Sequence, residues 1–140
     1  MDWKDLPSSY HVRMNVGHGK LPLLTEMPAV GDWIVANNCI QRVTAVTPQT
    51  FVLNGDRFRM RRREWCTGTK FSVYYAHVPT AVMIQAAEAE EAKAFKRYEA
   101  HLAKCEEARR KVLAFDMSKV SLDQFRCIAE ILMLEIDGRA

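Results

Sequence analysis

The chain has 140 residues, with 20 Lys and Arg against 17 Asp and Glu, a formal net charge of +3 and a hydrophobic content of 49%. This is the size of one ordinary domain, or of one small domain with an appendage, and so small a net charge does not by itself identify a nucleic-acid partner. No apolar run approaches the ~20 residues that cross a bilayer, so no membrane partner is expected.

Residues 1–28 read as irregular. Pro7-Ser8-Ser9, Gly17-His18-Gly19 and Pro22 punctuate against long regular structure, and only 10–16 alternate in a way that suits a short strand. Gly17-His18-Gly19-Lys20 lacks the spacing of a phosphate loop, and Pro22 denies it the helix that must follow. The N-terminus has no apolar signal core, so a cytoplasmic location is expected.

Residues 29–78 read as an antiparallel meander of five short strands. Asn37-Asn38 suits a two-residue hairpin turn because Asn tolerates positive φ, and Asn54-Gly55 is a stronger signal of the same kind. The second of these turns feeds the densest charge in the chain, Asp56-Arg57-Phe58-Arg59-Met60-Arg61-Arg62-Arg63-Glu64-Trp65. Strand side chains alternate between faces. Arg57, Arg59 and Arg61 therefore share one face, and Phe58 and Met60 the other. Residues 65–69 break the pattern, and residues 71–78 supply the fifth strand. Residues 1–80 hold 10 Lys and Arg against 6 Asp and Glu, a net of +4, whereas 81–140 hold 10 against 11, a net of −1.

Val30-Gly31-Asp32-Trp33-Ile34-Val35, Arg42-Val43-Thr44-Ala45-Val46 and Phe51-Val52-Leu53 together resemble the opening of SH3-like small barrels of the KOW and Tudor kind. Asn38-Cys39-Ile40 stands where KOW domains carry a glycine. The resemblance covers about 50 residues at superfamily level. It implies a small β-barrel with a binding role, since such barrels take RNA, DNA, methylated side chains or proline-rich peptides.

From Thr80, a good N-cap, the character changes. Residues 81–113 are rich in strong helix formers and predict one long helix of about 50 Å. Its apolar stripe runs through Ile84, Ala87, Ala92, Phe95, Tyr98, Leu102, Cys105, Ala108 and Val112. Glu88, Glu91 and Arg109 interrupt a strict heptad, so the packing is coiled-coil-like without being a clean zipper. Ser121-Leu122-Asp123-Gln124 is a capping box that opens a second helix, expected to run to about Asp137 and stop at Gly138. Leu122, Phe125, Ile128, Ala129, Leu132, Met133 and Ile136 form its wide apolar face. The expected fold is thus α+β: an irregular segment over 1–28, a small SH3-like barrel over 29–78, and an antiparallel helical hairpin over 80–138.

The four cysteines, Cys39, Cys66, Cys105 and Cys127, lack the close pairing of a zinc site and read as reduced thiols, buried or inert. No metal or cofactor is implied. The histidines are scattered, and no nucleophile–base pair can be argued. The expected function is non-catalytic binding of nucleic acid or a nucleoprotein complex through Arg57, Arg59, Arg61, Arg62 and Arg63, with Trp65 and Tyr74 as stacking rings. The bland alternative is a solvated strand whose arginines pair with Asp56 and Glu64. A second functional alternative is a protein-interaction adaptor or inhibitor, such as a phage-type modulator of a host complex, docking on an acidic surface. Ile84, Phe95 and Tyr98 would form a dimer face if they did not meet the barrel.

Overall fold

The computed structural model describes residues 2–17, 19–69, 71–115 and 117–131. The chain divides into two compact units, 1–100 and 101–140, each treated by itself below. The fold is α+β.

Two short 3-10 turns, Trp3–Asp5 and Ser8–Tyr10, occupy the start of the chain, and strand β1 is only Met14–Asn15. The expected strand over 10–16 is therefore much shorter, because Tyr10 belongs to the second turn. The meander follows as β2 (Trp33–Ala36), β3 (Cys39–Val46), β4 (Thr50–Leu53), β5 (Asp56–Arg61), β6 (Glu64–Gly68) and β7 (Val73–Tyr75). All pairings are antiparallel, in the order β1-β3-β4-β5-β6-β7, with β2 also on β3. A register shift between Val43 and Ala45 bends β3. The sheet curls until Val35 exchanges two backbone hydrogen bonds with His77, at 3.0 and 2.8 Å. This isolated bridge links β2 to the chain beyond β7, so the barrel is half-closed.

Alternation along β2 explains why all four of its residues are buried. Ile34 and Ala36 point into the curl, where they meet Leu24, Val43, Phe51, Leu53, Phe58, Trp65 and Ala76. Phe51 and Phe58 stack there with centroids 5.0 Å apart, and Trp65 packs edge-on to Phe51. Trp33 and Val35 point outward and join Ile40 and Ala87, with Val12, Met14, Met83 and Ile84 packed around them. Helix α1 (Ala81–Ala114) thus covers the outer face of β2 and β3. The small side chains of Ala87 and Ala94, both fully buried, let the helix lie close to its neighbours. Thr80 caps it as expected, its hydroxyl accepting from the Met83 N–H at 3.3 Å.

Three hairpin turns place both central residues at positive φ: Asn37-Asn38 (50° and 61°), Asn54-Gly55 (46° and 92°) and Arg62-Arg63 (51° and 69°). The first two use residues that accept this region readily. The third does not, and left-handed backbone costs a residue other than Gly or Asn about 1–2 kcal/mol. Arg62-Arg63 also corrects the expected strand count. Glu64–Gly68 continues the sheet as β6, because this turn returns the chain onto β5.

In the second unit, α2 (Leu122–Ile131) opens with the expected capping box. The Gln124 N–H donates to Ser121 Oγ at 3.2 Å, and the Ser121 N–H to Gln124 Oε1 at 3.1 Å. The expected antiparallel hairpin is not established. Leu102, Val112 and Leu113 on α1 remain exposed, as do Leu122, Phe125 and Ile131 on α2. Leu132, Met133, Ile136, the expected helix end at Asp137–Gly138, and His18 lie outside the described residues.

Candidate basic hairpin surface

Register assigns every residue of the arginine strand to a face. Across β4 and β5, Thr50 pairs with Arg59 and Val52 with Arg57. Across β5 and β6, Arg59 pairs with Cys66 and Arg61 with Glu64, and Cys66 pairs onward with Tyr75. Paired residues share a face. The outer face therefore carries Arg57, Arg59 and Arg61 beside Thr50, Val52, Cys66 and Tyr75. The inner face carries Phe51, Phe58, Met60 and Trp65. Helix α1 lies over β2 and β3, which leaves the outer face of β5 open.

The arginines are exposed. No ion pair reaches Arg57, Arg59, Arg61, Arg62 or Arg63 among the described residues. Arg57 Nη1 donates to Thr50 Oγ1 at 2.6 Å, which braces one guanidinium without cancelling its charge. Arg61 and Glu64 stand opposite one another across the strands yet form no ion pair. The bland expectation of pairing with Asp56 and Glu64 is therefore not what this hairpin does. Arg57 and Arg59 stand between two shallow grooves. One, of about 840 Å³, is also lined by Thr47, Pro48, Gln49, Thr50, Met60 and Trp65. The other, of about 670 Å³, is also lined by Arg61, Cys66, Thr67 and Val73.

Of the rings expected to stack on a ligand, Trp65 is a core residue, 5% exposed. It pairs in register with Met60 and so points away from the arginine face. Its indole N–H is buried without a hydrogen-bond partner among the described residues. Tyr74 pairs with Thr67 and shares the face of Trp65. Tyr75, half-exposed on the arginine side, lies in the same cross-strand row as Arg59, with Cys66 between them. Met60 alternates inward as expected but is 44% exposed, because β4 begins opposite Arg59 and the hairpin projects past it.

Residues proposed as a dimer face lie in the first unit. Ile84 packs against the Trp33 cluster. Tyr98 meets Tyr10 with ring centroids 5.2 Å apart, and Phe95 is half-buried. The condition attached to that face, that these side chains do not meet the barrel, fails for Ile84, whereas Tyr98 meets the N-terminal segment instead.

A second cluster was invisible in the sequence. Arg42 pairs with Trp33 in register, on the face that meets α1. Its Nε and Nη2 donate to the two carboxylate oxygens of Glu91 at 2.6 and 2.7 Å, and its Nη1 to the Gly31 carbonyl at 2.6 Å. The guanidinium lies 4.2 Å from the Trp33 ring centroid and 5.3 Å from that of Trp3. The crevice beside it has a volume of about 10 Å³, room for a single water. This cluster fastens helix to sheet, and a shallow open groove of about 420 Å³ runs past Gly31, Trp33, Arg42, Ile84 and Glu88. Its one sequence signal is Glu91 itself, an acid on the apolar stripe between Ala87 and Ala94.

The cysteines are free: Cys66 buried, Cys39 half-buried, and Cys105 and Cys127 exposed rather than sheltered. His101 Nε2 lies 3.6 Å from Cys105 Sγ on the open surface of α1. Among the described residues, no three of His, Cys, Asp or Glu are grouped to hold a metal ion, and no helix is long and apolar enough to cross a membrane. Comparison with known proteins adds no relative: no family model, no curated protein and no solved structure matches the chain.

Proposed function

We propose that this chain is a non-catalytic binding protein that engages nucleic acid, free or within a nucleoprotein complex, through the outer face of β5 and the Arg62-Arg63 turn. The observation that carries the reading is five exposed guanidinium groups on one hairpin with no acidic partner among the described residues. Arginines without an acidic partner suit phosphate, which accepts two N–H groups from one fork. The rigid sheet beneath them lowers the entropy lost when they bind.

Binding of this kind releases counterions, so log affinity falls with log salt at a slope near −0.9 per phosphate contacted. Titration of labelled nucleic acid at several salt concentrations should give a steep slope. The variant Arg57→Ala, Arg59→Ala, Arg61→Ala should flatten it by roughly 2.7 if each arginine meets one phosphate. These residues are exposed, so the variant should keep its circular dichroism spectrum. Salt-insensitive binding, or unchanged affinity in the variant, would overturn the reading. The same charges could instead dock on an acidic protein surface. A stoichiometric protein partner that survives nuclease treatment and is lost in the variant would favour that outcome.

A further inference from the structure

We propose that the Arg62-Arg63 tip enters a groove of duplex DNA, with Arg57 and Arg59 on the flanking phosphates; this rests on the nucleic-acid reading above. The chain builds three hairpin turns with both central residues at positive φ. At two of them it uses Asn-Asn and Asn-Gly, which the geometry favours. At the third it holds two arginines in a conformation they disfavour, on an exposed turn that makes no ion pair among the described residues. Sterics would choose Asn-Gly there, so the arginines are retained against the local preference of the backbone. Such a residue points to function at the turn.

The position of the turn says what kind of ligand it suits. The β5–β6 hairpin overhangs β4, which begins opposite Arg59. Met60 is consequently exposed although it alternates inward. The projecting element is a two-stranded ribbon tipped by Arg61, Arg62 and Arg63, convex and cationic. A two-stranded ribbon fits the major groove, roughly 12 Å wide, and tip arginines suit the strong negative potential of a narrowed minor groove. Single strands are instead held by exposed rings on which bases stack. Both rings of the ribbon itself, Phe58 and Trp65, are buried in the core, and the half-exposed Tyr75 stands one strand away across Cys66.

The test uses the full chain, a labelled DNA duplex of about 20 base pairs, and one of its strands alone, titrated across salt concentrations. The variant is Arg62→Asn, Arg63→Gly. Wild type should bind the duplex at least about tenfold more tightly than the strand. The variant should raise the thermal midpoint, by roughly 5 °C, because the turn is relieved. It should weaken duplex binding about tenfold while leaving most of the salt slope, which the phosphate contacts of Arg57 and Arg59 carry. Unchanged duplex affinity in the variant, or a wild-type preference for the single strand, overturns the groove assignment and leaves the arginine face standing. A lowered midpoint overturns the premise of a strained turn. Wild type that binds neither probe removes the nucleic-acid reading itself.

Discussion

Replacing Glu91 by alanine should unfasten the long helix from the outer face of β2 and β3. Glu91 accepts two charge-assisted hydrogen bonds from Arg42, at 2.6 and 2.7 Å, with side-chain exposures of 20% for the arginine and 13% for the acid. Bonds to charged groups contribute about 1.5–3 kcal/mol each. Removing one partner also strands the other charge in a partly dry site. Water reaches the remaining guanidinium in part, so the net loss should be about 2–3 kcal/mol. Arg42→Ala also loses the packing on Trp33 and the bond to Gly31, for about 3–4 kcal/mol in total. The double variant should lose less than the two single losses added together, by a coupling of about 2 kcal/mol. Urea unfolding followed by tryptophan fluorescence suits the measurement. Trp3, Trp33 and Trp65 all lie in the first unit, so the signal reports that unit. Midpoints should shift at constant m. A coupling below about 0.5 kcal/mol, the level of an exposed surface pair, would refute the assignment of a buried lock.

Two further outcomes follow from the same geometry. Gly68 has a φ of +120°, and a Cβ there would overlap the Ser72 carbonyl oxygen. Gly68→Ala should therefore destabilise the first unit by about 2–4 kcal/mol in the same denaturation assay, and a neutral result would show that the β6–β7 turn is not held in this form. A disulfide-exchange reagent should modify Cys105 and Cys127 rapidly, Cys39 more slowly, and Cys66 at least about tenfold more slowly than the exposed pair. Equal rates at all four thiols would contradict the burial of Cys66 beside Arg59.

The parts of the fold that were legible in the sequence are those governed by neighbouring residues. Asn37-Asn38 and Asn54-Gly55 announce their turns because each residue tolerates positive φ. Thr80 and Ser121-Gln124 announce their helices through caps made within four residues. Arg62-Arg63 announces nothing, since arginine has no preference for a left-handed turn. For that reason neither β6 nor the burial of Trp65 is legible in the sequence. The pairing of Arg42 with Glu91 spans 49 positions. Glu91 appeared as a flaw in an apolar stripe when it is the acid that the stripe carries to the sheet.

The local sequence by itself determined that Arg57, Arg59 and Arg61 share a face, because a strand has a period of two and no tertiary contact is needed to impose it. Whether that face would be open or covered depended on where the long helix settles. The helix settles over β2 and β3, where Ala87 permits close approach and Arg42 waits for Glu91. Whether the arginines would be neutralised depended on distances between side chains, and these leave Asp56 and Glu64 without a partner on the hairpin. Charge and alternation are properties of the chain, whereas an unpaired and exposed charge is a property of packing.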